Sequence, residues 1–174
     1  MINYDLSKIK AVIFDVDGVL SAQTILMDSD GEPMRTINIQ DGYAIQLAVK
    51  MGLRVVILTG GKTPNIKSRY NYLGVTDIFM KCAVKILTYE ELLKKYDLTD
   101  EQILYMGDDI PDVPAMEFAG IGVAPADAVE EARQAADIIS PVAGGKGFVR
   151  WTLELVMKAQ GRWIFDVDKY EKMF

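Results

Sequence analysis

The segment Ala11-Val12-Ile13-Phe14-Asp15-Val16-Asp17-Gly18-Val19 decides how the rest of the chain folds. Its first four residues are apolar, as in a short parallel strand that is buried on both faces. Asp15 and Asp17 stand at positions i and i+2, so an extended backbone places both carboxylates on one face, and Gly18 then permits a tight turn. Two carboxylates at the end of a buried strand repel each other, which favours a bound Mg²⁺, an ion that prefers oxygen ligands. An acidic loop without a ligand is the alternative.

Strand-like and helix-like segments alternate along the remainder of the chain. Short apolar runs predict further strands at 54–58, 78–80, 103–106 and 138–139. Periodicity, capping residues and glycine stops predict helices at about 42–51, 64–73, 84–96, 113–118, 128–136 and 148–160. Asp41 is interpreted as the N-cap of the first of these helices. The alternation predicts an α/β fold with a doubly wound, Rossmann-like parallel sheet, in which ligands bind beyond the carboxyl ends of the strands.

A β-hairpin is predicted between the first strand and the first helix, over residues 22–39. Strand-like runs at 24–27 and 34–39 flank an Asp/Ser/Gly turn. The hairpin carries more apolar side chains than a solvated two-stranded arm should expose, so we expect it to pack on something, such as another subunit. We expect residues 1–174 to form one domain with a C-terminal tail at 162–174.

The composition excludes several classes of function. The net charge is −6 without a run of Lys or Arg, which argues against nucleic acid or a membrane as partner. The chain has no His, so Ser-His-Asp catalysis, phosphohistidine chemistry and His-ligated zinc are excluded. Its single cysteine, Cys82, is predicted to be a small buried residue and fits a cytoplasmic protein. The N-terminal segment has the pattern of neither a signal peptide nor a membrane span.

A set of polar and charged side chains is expected to gather at one rim of the sheet. Its members are Asp15, Asp17, Thr59, Lys85, Asp108, Asp109 and Asp112. All but Lys85 follow the end of a predicted strand, and Lys85 begins a helix, where the dipole disfavours a cation unless an anion is near. The set provides a nucleophile, a second carboxylate, a hydroxyl, a cation and metal ligands, as phosphoryl transfer to a carboxylate requires. The structural alternatives are Thr59 as a strand end, Lys85 as a solvated lysine and Asp112 as a helix N-cap.

The same residues resemble the haloacid dehalogenase superfamily of phosphotransferases. The four motifs of that family stand in order as Asp15-Val16-Asp17-Gly18-Val19, Leu58-Thr59-Gly60, Lys85 and Gly107-Asp108-Asp109-Ile110-Pro111-Asp112. The resemblance implies that Asp15 attacks phosphorus and becomes an aspartyl phosphate, while Asp17 protonates the leaving oxygen and then activates water. It also implies that Thr59 hydrogen-bonds the phosphoryl oxygens and that Lys85 offsets negative charge.

A magnesium ion is the cofactor that the resemblance implies. Its ligands would be Asp15, the main-chain carbonyl of Asp17 and Asp108, with Asp109 and Asp112 in support. Near the C-terminus, Phe165-Asp166-Val167-Asp168 repeats the spacing of the acidic pair, but Lys169 stands where the glycine should be. We interpret that second stretch as unrelated to the site.

Many members of this superfamily insert a cap domain over the site. The intervals between the four motifs of this chain are too short for such a domain, so the resemblance is to a capless subgroup that carries a hairpin. This subgroup contains the phosphatases of 3-deoxy-D-manno-octulosonate 8-phosphate (KDO 8-phosphate) and of a nine-carbon analogue, KDN 9-phosphate. The stretches Ile39-Gln40-Asp41-Gly42, Gly144-Gly145-Lys146-Gly147 and Lys158-Ala159-Gln160-Gly161 are similar to the KDO 8-phosphate enzymes in particular. The resemblance implies a homotetramer whose subunits cover each other's sites. The implied substrate-binding residues are Gly60, Lys62, Arg69 and Lys146.

One departure and two competing functions stay open. Family members often carry a longer polar or charged residue at the position of Gly61, which leaves the exact sugar acid undecided. A phospho-acceptor receiver domain uses similar residues, but there the acidic pair follows the first strand and the lysine the last. A non-catalytic oligomerisation module would be expected to lack Asp15, Asp17 or Lys85, and all three are present.

Overall fold

A six-stranded parallel sheet forms the centre of the protein, and the computed structural model describes residues 4–163. In spatial order its strands are β5 (Asp77–Phe79), β4 (Arg54–Leu58), β1 (Ala11–Phe14), β6 (Ile103–Met106), β7 (Ile121–Ala124) and β8 (Ile138–Ile139). The chain winds outward from β1 through β4 and β5, and then in the opposite direction from β6 to β8. The predicted α/β fold with a doubly wound parallel sheet is therefore confirmed.

Six helices cover the two faces of the sheet. They are α1 (Ile39–Lys50), α2 (Pro64–Tyr72), α3 (Lys85–Tyr96), α4 (Val113–Phe118), α5 (Glu130–Ala135) and α6 (Phe148–Ala159). Buried side chains of α1, α2 and α6 pack on one face, and those of α3, α4 and α5 pack on the other. Every helix in this part of the chain is too short or too polar to cross a membrane.

Strand β1 lies at the middle of the sheet because all four of its side chains are apolar and can be buried. Ala11 is in register with Arg54 of β4 on one side and with Ile103 of β6 on the other. Alternate side chains of β1 enter the two core layers, as the period of a strand requires: Val12 packs with the layer of α1, and Ile13 with the layer of α3. The carboxyl ends of β1, β4 and β6 therefore meet at one rim, where a doubly wound sheet binds ligands.

The hairpin between β1 and α1 has much shorter strands than predicted. Its strands are β2 (Leu26–Met27) and β3 (Pro33–Met34), which pair antiparallel, whereas the sequence predicted strands at 24–27 and 34–39. The apolar pattern continues to Ile39, but Ile39 is already the first residue of α1 and is 81% exposed. Period-2 alternation alone cannot mark where an exposed strand gives way to a helix.

The N-cap prediction for α1 was wrong. Helix α1 begins three residues earlier than expected, and its cap is Asn38, whose side chain accepts hydrogen bonds from the N–H groups of Gln40 and Asp41. Asp41 is buried, and its Oδ1 accepts the N–H of Arg150 at 2.6 Å. The Asp41 carboxylate therefore satisfies a first-turn N–H of α6, a helix distant in sequence, where a negative charge is favoured.

The remaining boundaries lie close to their predictions. Helices α2, α3 and α6 differ by one residue at one end, and α5 begins two residues later and ends one earlier. Strand β5 begins and ends one residue earlier, and β7 was not among the predicted strands. From residue 164 onward, the predicted tail and its Phe165-Asp166-Val167-Asp168 stretch lie outside the described residues.

Candidate active site

The loop after β1 places Asp15 at the rim of the sheet. Asp15 is buried, and its backbone N–H donates to the carbonyl of Met106 at 3.1 Å, which continues the pairing of β1 with β6. Gly18 has a φ of +82°, and a Cβ atom there would lie 1.8 Å from Oδ2 of Asp108. Glycine is therefore required at this turn, because any side chain would displace the carboxylate that follows β6.

Lys85 lies between two buried carboxylates. Its Nζ is 3.0 Å from Oδ2 of Asp15 and 2.7 Å from Oδ1 of Asp112. Burial alone would lower the pKa of Lys85, but the negative charges of Asp15 and Asp112 outweigh it and raise the pKa above the ordinary value. The first position of α3 thus carries a charged ammonium, and the anionic partner that the sequence predicted is present.

Asp112 holds the site together through both of its oxygens. Oδ1 accepts hydrogen bonds from Lys85 Nζ and from the hydroxyl of Tyr105, each at 2.7 Å. Oδ2 accepts longer hydrogen bonds from the N–H groups of Asp108 and Asp109, at 3.3 and 3.5 Å. Asp112 occupies the N-cap position of α4, but its side chain makes no capping hydrogen bond to that helix. It positions Lys85 and the loop of Asp108 instead.

Three carboxylates in this cluster fit a divalent metal ion. One oxygen each from Asp15, Asp108 and Asp112 lies within 4.8 Å of the others. Oδ1 of Asp15 and Oδ1 of Asp108 are buried, and neither accepts a hydrogen bond within the described chain. Burial, reinforced by the neighbouring carboxylates, raises the pKa of Asp15 to about 7 and that of Asp108 to about 8. The cluster is short of positive charge, and a hard cation such as Mg²⁺ matches its oxygen donors.

A cavity of about 490 Å³ opens above these carboxylates. It is lined by Asp15, Asp17, Gly18, Gln23, Thr59, Gly60, Gly61, Cys82, Ala83, Lys85, Asp108, Asp109, Pro111, Asp112 and Val129. Cys82 is half-buried in this wall rather than fully buried as predicted. A larger depression of about 840 Å³ lies at the amino ends of the strands and contains none of the cluster. Ligands of doubly wound sheets bind at the carboxyl ends, so the smaller cavity is the candidate site.

Asp17 and Thr59 reach the cavity from adjacent strand ends. Thr59 is buried, and its Oγ1 accepts the N–H of Gly61 at 3.0 Å, so the hydroxyl is oriented by the loop after β4. The Asp17 side chain is 43% exposed and forms a two-pronged ion pair with Arg35, in which Nε–Oδ1 and Nη2–Oδ2 are both 2.8 Å. Arg35 follows β3, so the hairpin contributes directly to this rim.

The comparisons with known proteins agree with this geometry. A model of the haloacid dehalogenase-like hydrolase family matches residues 71–151. The 3-deoxy-D-manno-octulosonate 8-phosphate phosphatase KdsC of Escherichia coli K12 is 38% identical over 154 residues, which cover 88% of this chain and 82% of that protein. The chain belongs to the KdsC family of haloacid dehalogenase-like hydrolases. KdsC of Yersinia pestis is 35% identical over 156 residues, or 90% of this chain and 83% of that protein.

Solved structures of the KdsC family have the same fold. The phosphatase of Moraxella catarrhalis, solved in complex with magnesium ion, phosphate ion and KDO, matches with a TM-score of 0.88 and 31% identity, covering 98% of this chain and 95% of that one. The cobalt-bound phosphatase of Haemophilus influenzae matches with a TM-score of 0.88 and 33% identity, covering 95% of this chain and 97% of that one. Both relatives bind a divalent metal ion.

The fold brings together every residue that was predicted for catalysis and metal binding. Asp15, Asp17, Thr59, Lys85, Asp108, Asp109 and Asp112 all line the one cavity. The residues come from four separate loops and helix starts. Their proximity follows from the strand order β4-β1-β6, which no single segment of the sequence encodes.

Among the predicted substrate-binding residues, only Gly60 lines the cavity. Lys62 and Lys146 are exposed, and neither they nor Arg69 belongs to the cavity wall. Nη2 of Arg69 lies over Gly42, 2.6 Å from where a Cβ atom would stand. The three cations therefore do not face the cavity within one copy of the chain.

Sequence reasoning missed three residues that shape the site. Tyr105 donates to Asp112, and a hydroxyl in an otherwise apolar strand was the available signal. Gln23 lines the cavity and donates from Nε2 to Asp108 Oδ2 at 3.4 Å. No local sequence pattern indicated Arg35, because its partner Asp17 precedes the hairpin whereas Arg35 follows β3.

Proposed function

We propose that this member of the KdsC family, taken as one domain over residues 1–174, is a Mg²⁺-dependent phosphatase that hydrolyses KDO 8-phosphate to KDO and phosphate. The observation that carries the proposal is the position of Lys85 Nζ, 3.0 Å from Asp15, beside two buried carboxylate oxygens that have no partner in the described chain. This arrangement supplies a nucleophile, a fixed cation and two free metal ligands in one cavity. The identity to KdsC supports the choice of substrate.

The first chemical step is the attack of the Asp15 carboxylate on phosphorus. A bond forms between an Asp15 oxygen and phosphorus, and the bond from phosphorus to the sugar oxygen breaks. Asp17 donates a proton to the leaving oxygen, so the sugar departs as an alcohol. Lys85 and the Thr59 hydroxyl hold the negatively charged phosphoryl oxygens, and neither has to move far because both are buried and already oriented.

The second step releases phosphate. Asp17, now a carboxylate, accepts a proton from water as that water attacks the aspartyl phosphate, and Asp15 is regenerated. When bound, Mg²⁺ would be held by Asp15, Asp108 and the main-chain carbonyl of Asp17, and it would offset charge on the phosphoryl group. Asp109 and Asp112 would support that site from the loop after β6, Asp112 through the hydrogen bonds described above.

Chelation of the metal should abolish turnover. With KDO 8-phosphate as substrate, we expect phosphate release to stop in excess EDTA and to return when Mg²⁺ is added, because the clustered carboxylates otherwise repel the phosphate. KDN 9-phosphate serves as the comparison, and a higher kcat/KM on KDO 8-phosphate is expected. If KDN 9-phosphate were hydrolysed faster, the nine-carbon compound would be the substrate instead of KDO 8-phosphate. A receiver-type protein or a non-catalytic module would release no phosphate from either.

We also infer that Lys62, Arg69 and Lys146 bind the anionic groups of the substrate across a subunit interface. All three are cations on the rim side of the fold, but they do not line the cavity of their own chain. Arg69 can contact a carboxylate or phosphate through two N–H groups, whereas the lysines act as point charges. This proposal depends on an oligomer in which these three cations lie next to the active-site cavity of a neighbouring subunit.

A cytoplasmic homotetramer assembled through the hairpin completes the proposal. Leu26, Met27, Met34, Ile37 and Ile39 are all exposed, which is more apolar surface than an isolated arm should present to water. We expect Leu26→Asp combined with Ile39→Asp to lower the mass measured by sedimentation to that of a smaller assembly. Phe118→Asp, at an exposed apolar site on α4, is the control and should leave the mass unchanged. A wild-type monomer would contradict the tetramer.

A further inference from the structure

The Arg35 guanidinium lies between two loops of the active site although it belongs to the hairpin. Its side chain is 11% exposed. Nε and Nη2 donate to the two oxygens of Asp17, and Nη1 donates to Oγ1 of Thr63, at the start of α2. Within residues 4–163, Arg35 is the only side chain that hydrogen-bonds the Asp17 carboxylate. A fork with two parallel hydrogen bonds fixes the plane of a carboxylate as well as its position.

Gly61 makes room for this guanidinium. A Cβ atom at position 61 would lie 3.0 Å from Nη2 of Arg35 and 2.8 Å from Cδ1 of Ile66. The backbone of Gly61 does not have a positive φ, so its conformation does not require glycine. The space that a side chain would need at position 61 is occupied by the side chains of Ile66 and Arg35 beside the cavity wall.

We propose that Arg35 is a positioning residue for Asp17, delivered by the hairpin into the space that Gly61 leaves open. The inference rests on the proposed function, in which Asp17 protonates the leaving oxygen and later activates water. The Asp17 side chain is more exposed than that of Asp15. Without the two hydrogen bonds from Arg35, it would sample several rotamers. Arg35 restricts it to one. The fork uses one lone pair of each Asp17 oxygen, so an oxygen can still carry the proton that passes to the leaving group. Small errors in the placement of a proton donor cost rate steeply.

The effect of Arg35 should depend on the leaving group. An alkoxide, such as the sugar oxygen, must be protonated as it leaves, whereas p-nitrophenolate leaves without protonation. Loss of Arg35 should therefore slow transfer of phosphoryl from the sugar phosphate more than transfer from p-nitrophenyl phosphate. A merely structural defect would slow both by the same factor.

The test compares release of the leaving group in a single turnover with enzyme in excess, which isolates the first step. For Arg35→Met we expect about a 10- to 100-fold slower release of KDO from KDO 8-phosphate, and only a few-fold change for p-nitrophenyl phosphate. Arg35→Lys should recover part of the loss. Asp17→Asn should show the same selectivity, more strongly. Glu32→Gln, on the same hairpin, is the control and should match the wild type at each substrate.

Gly61→Leu provides a second variant that leaves Arg35 in the chain. The new side chain would displace the guanidinium, so the same dependence on leaving group is expected. If folded Arg35→Met and Gly61→Leu lost the same factor in rate on both substrates, or lost none, the inference about Arg35 would be overturned. The proposed function would stand as long as the wild type hydrolyses KDO 8-phosphate. A wild-type protein that does not hydrolyse KDO 8-phosphate would overturn both.

Discussion

Asp15→Asn should abolish phosphatase activity while leaving the protein folded. The amide cannot attack phosphorus, and we expect kcat to fall by about 10⁴-fold or more, as for loss of other enzymatic nucleophiles. Asparagine has the same shape as aspartate, and Lys85 keeps its 2.7 Å contact with Asp112. The measurement is phosphate release at saturating substrate and Mg²⁺, with circular dichroism to verify the fold. Activity comparable to that of the wild type would refute Asp15 as the nucleophile.

The same variant should change how stability depends on pH in metal-free protein. The pKa of Asp15 is raised to about 7 in the folded chain, mainly by burial and then by Asp112, above the ordinary value for an aspartate. Between pH 3.8, the ordinary pKa of an aspartate, and about pH 7, the folded state therefore binds more protons than the unfolded state. The free energy of unfolding falls as pH rises through that range. We expect urea unfolding in EDTA to show a larger loss from pH 5 to pH 8 in the wild type than in Asp15→Asn. Equal losses would mean that Asp15 is already ionised at pH 5.

The site could be predicted from the order in which its motifs follow one another along the chain, rather than from any one local pattern. The acidic pair after β1 and the acidic group after β6 each follow a buried apolar strand, and the doubly wound topology places those strand ends side by side. The position of Lys85 was predicted for a physical reason. A cation at the start of a helix needs an anion, and two carboxylates are within 3.0 Å.

Asp41 and Arg35 show where the sequence could not decide. Both are polar residues whose partners lie in other elements: Asp41 accepts the N–H of Arg150, 109 residues away, and Arg35 pairs with Asp17 across the hairpin. Asp41 also fits the local pattern of an N-cap, but the N-cap of α1 is Asn38. Local periodicity and capping rules describe neighbours within a few residues, and they contain no information on which distant backbone N–H or carboxylate will be adjacent.

The hairpin shows a different limit. Its strand pairing covers only two residue pairs, so little backbone hydrogen bonding defines its ends. An isolated two-stranded arm is marginal in water. Its boundaries depend on what covers its apolar side chains, and no pattern within the hairpin's own sequence specifies that.

Lys85→Met should destabilise the protein as well as inactivate it. Removal of the ammonium leaves Asp15 and Asp112 buried without their cation, and loss of one partner of a buried ion pair lowers the free energy of unfolding by about 3–5 kcal/mol. Tyr105 still donates to Asp112 but carries no charge. We expect kcat to fall by about 10²- to 10³-fold, because the phosphoryl oxygens lose a fixed cation. Urea denaturation and steady-state kinetics measure the two effects.

Lys95→Met, on the same helix α3, is the matched control. Lys95 also pairs with an aspartate, Asp77 at 3.2 Å, but its side chain is 55% exposed and Arg54 holds the same carboxylate at 2.9 Å. An exposed pair of this kind contributes about 0–1 kcal/mol, so the free energy of unfolding and kcat should both stay near wild type. Adding Asp15→Asn to Lys85→Met should restore part of the lost stability, since one uncompensated carboxylate is removed. If Lys85→Met proved as stable as Lys95→Met, the ammonium would not be balancing the buried carboxylates, and the cluster would need another source of positive charge.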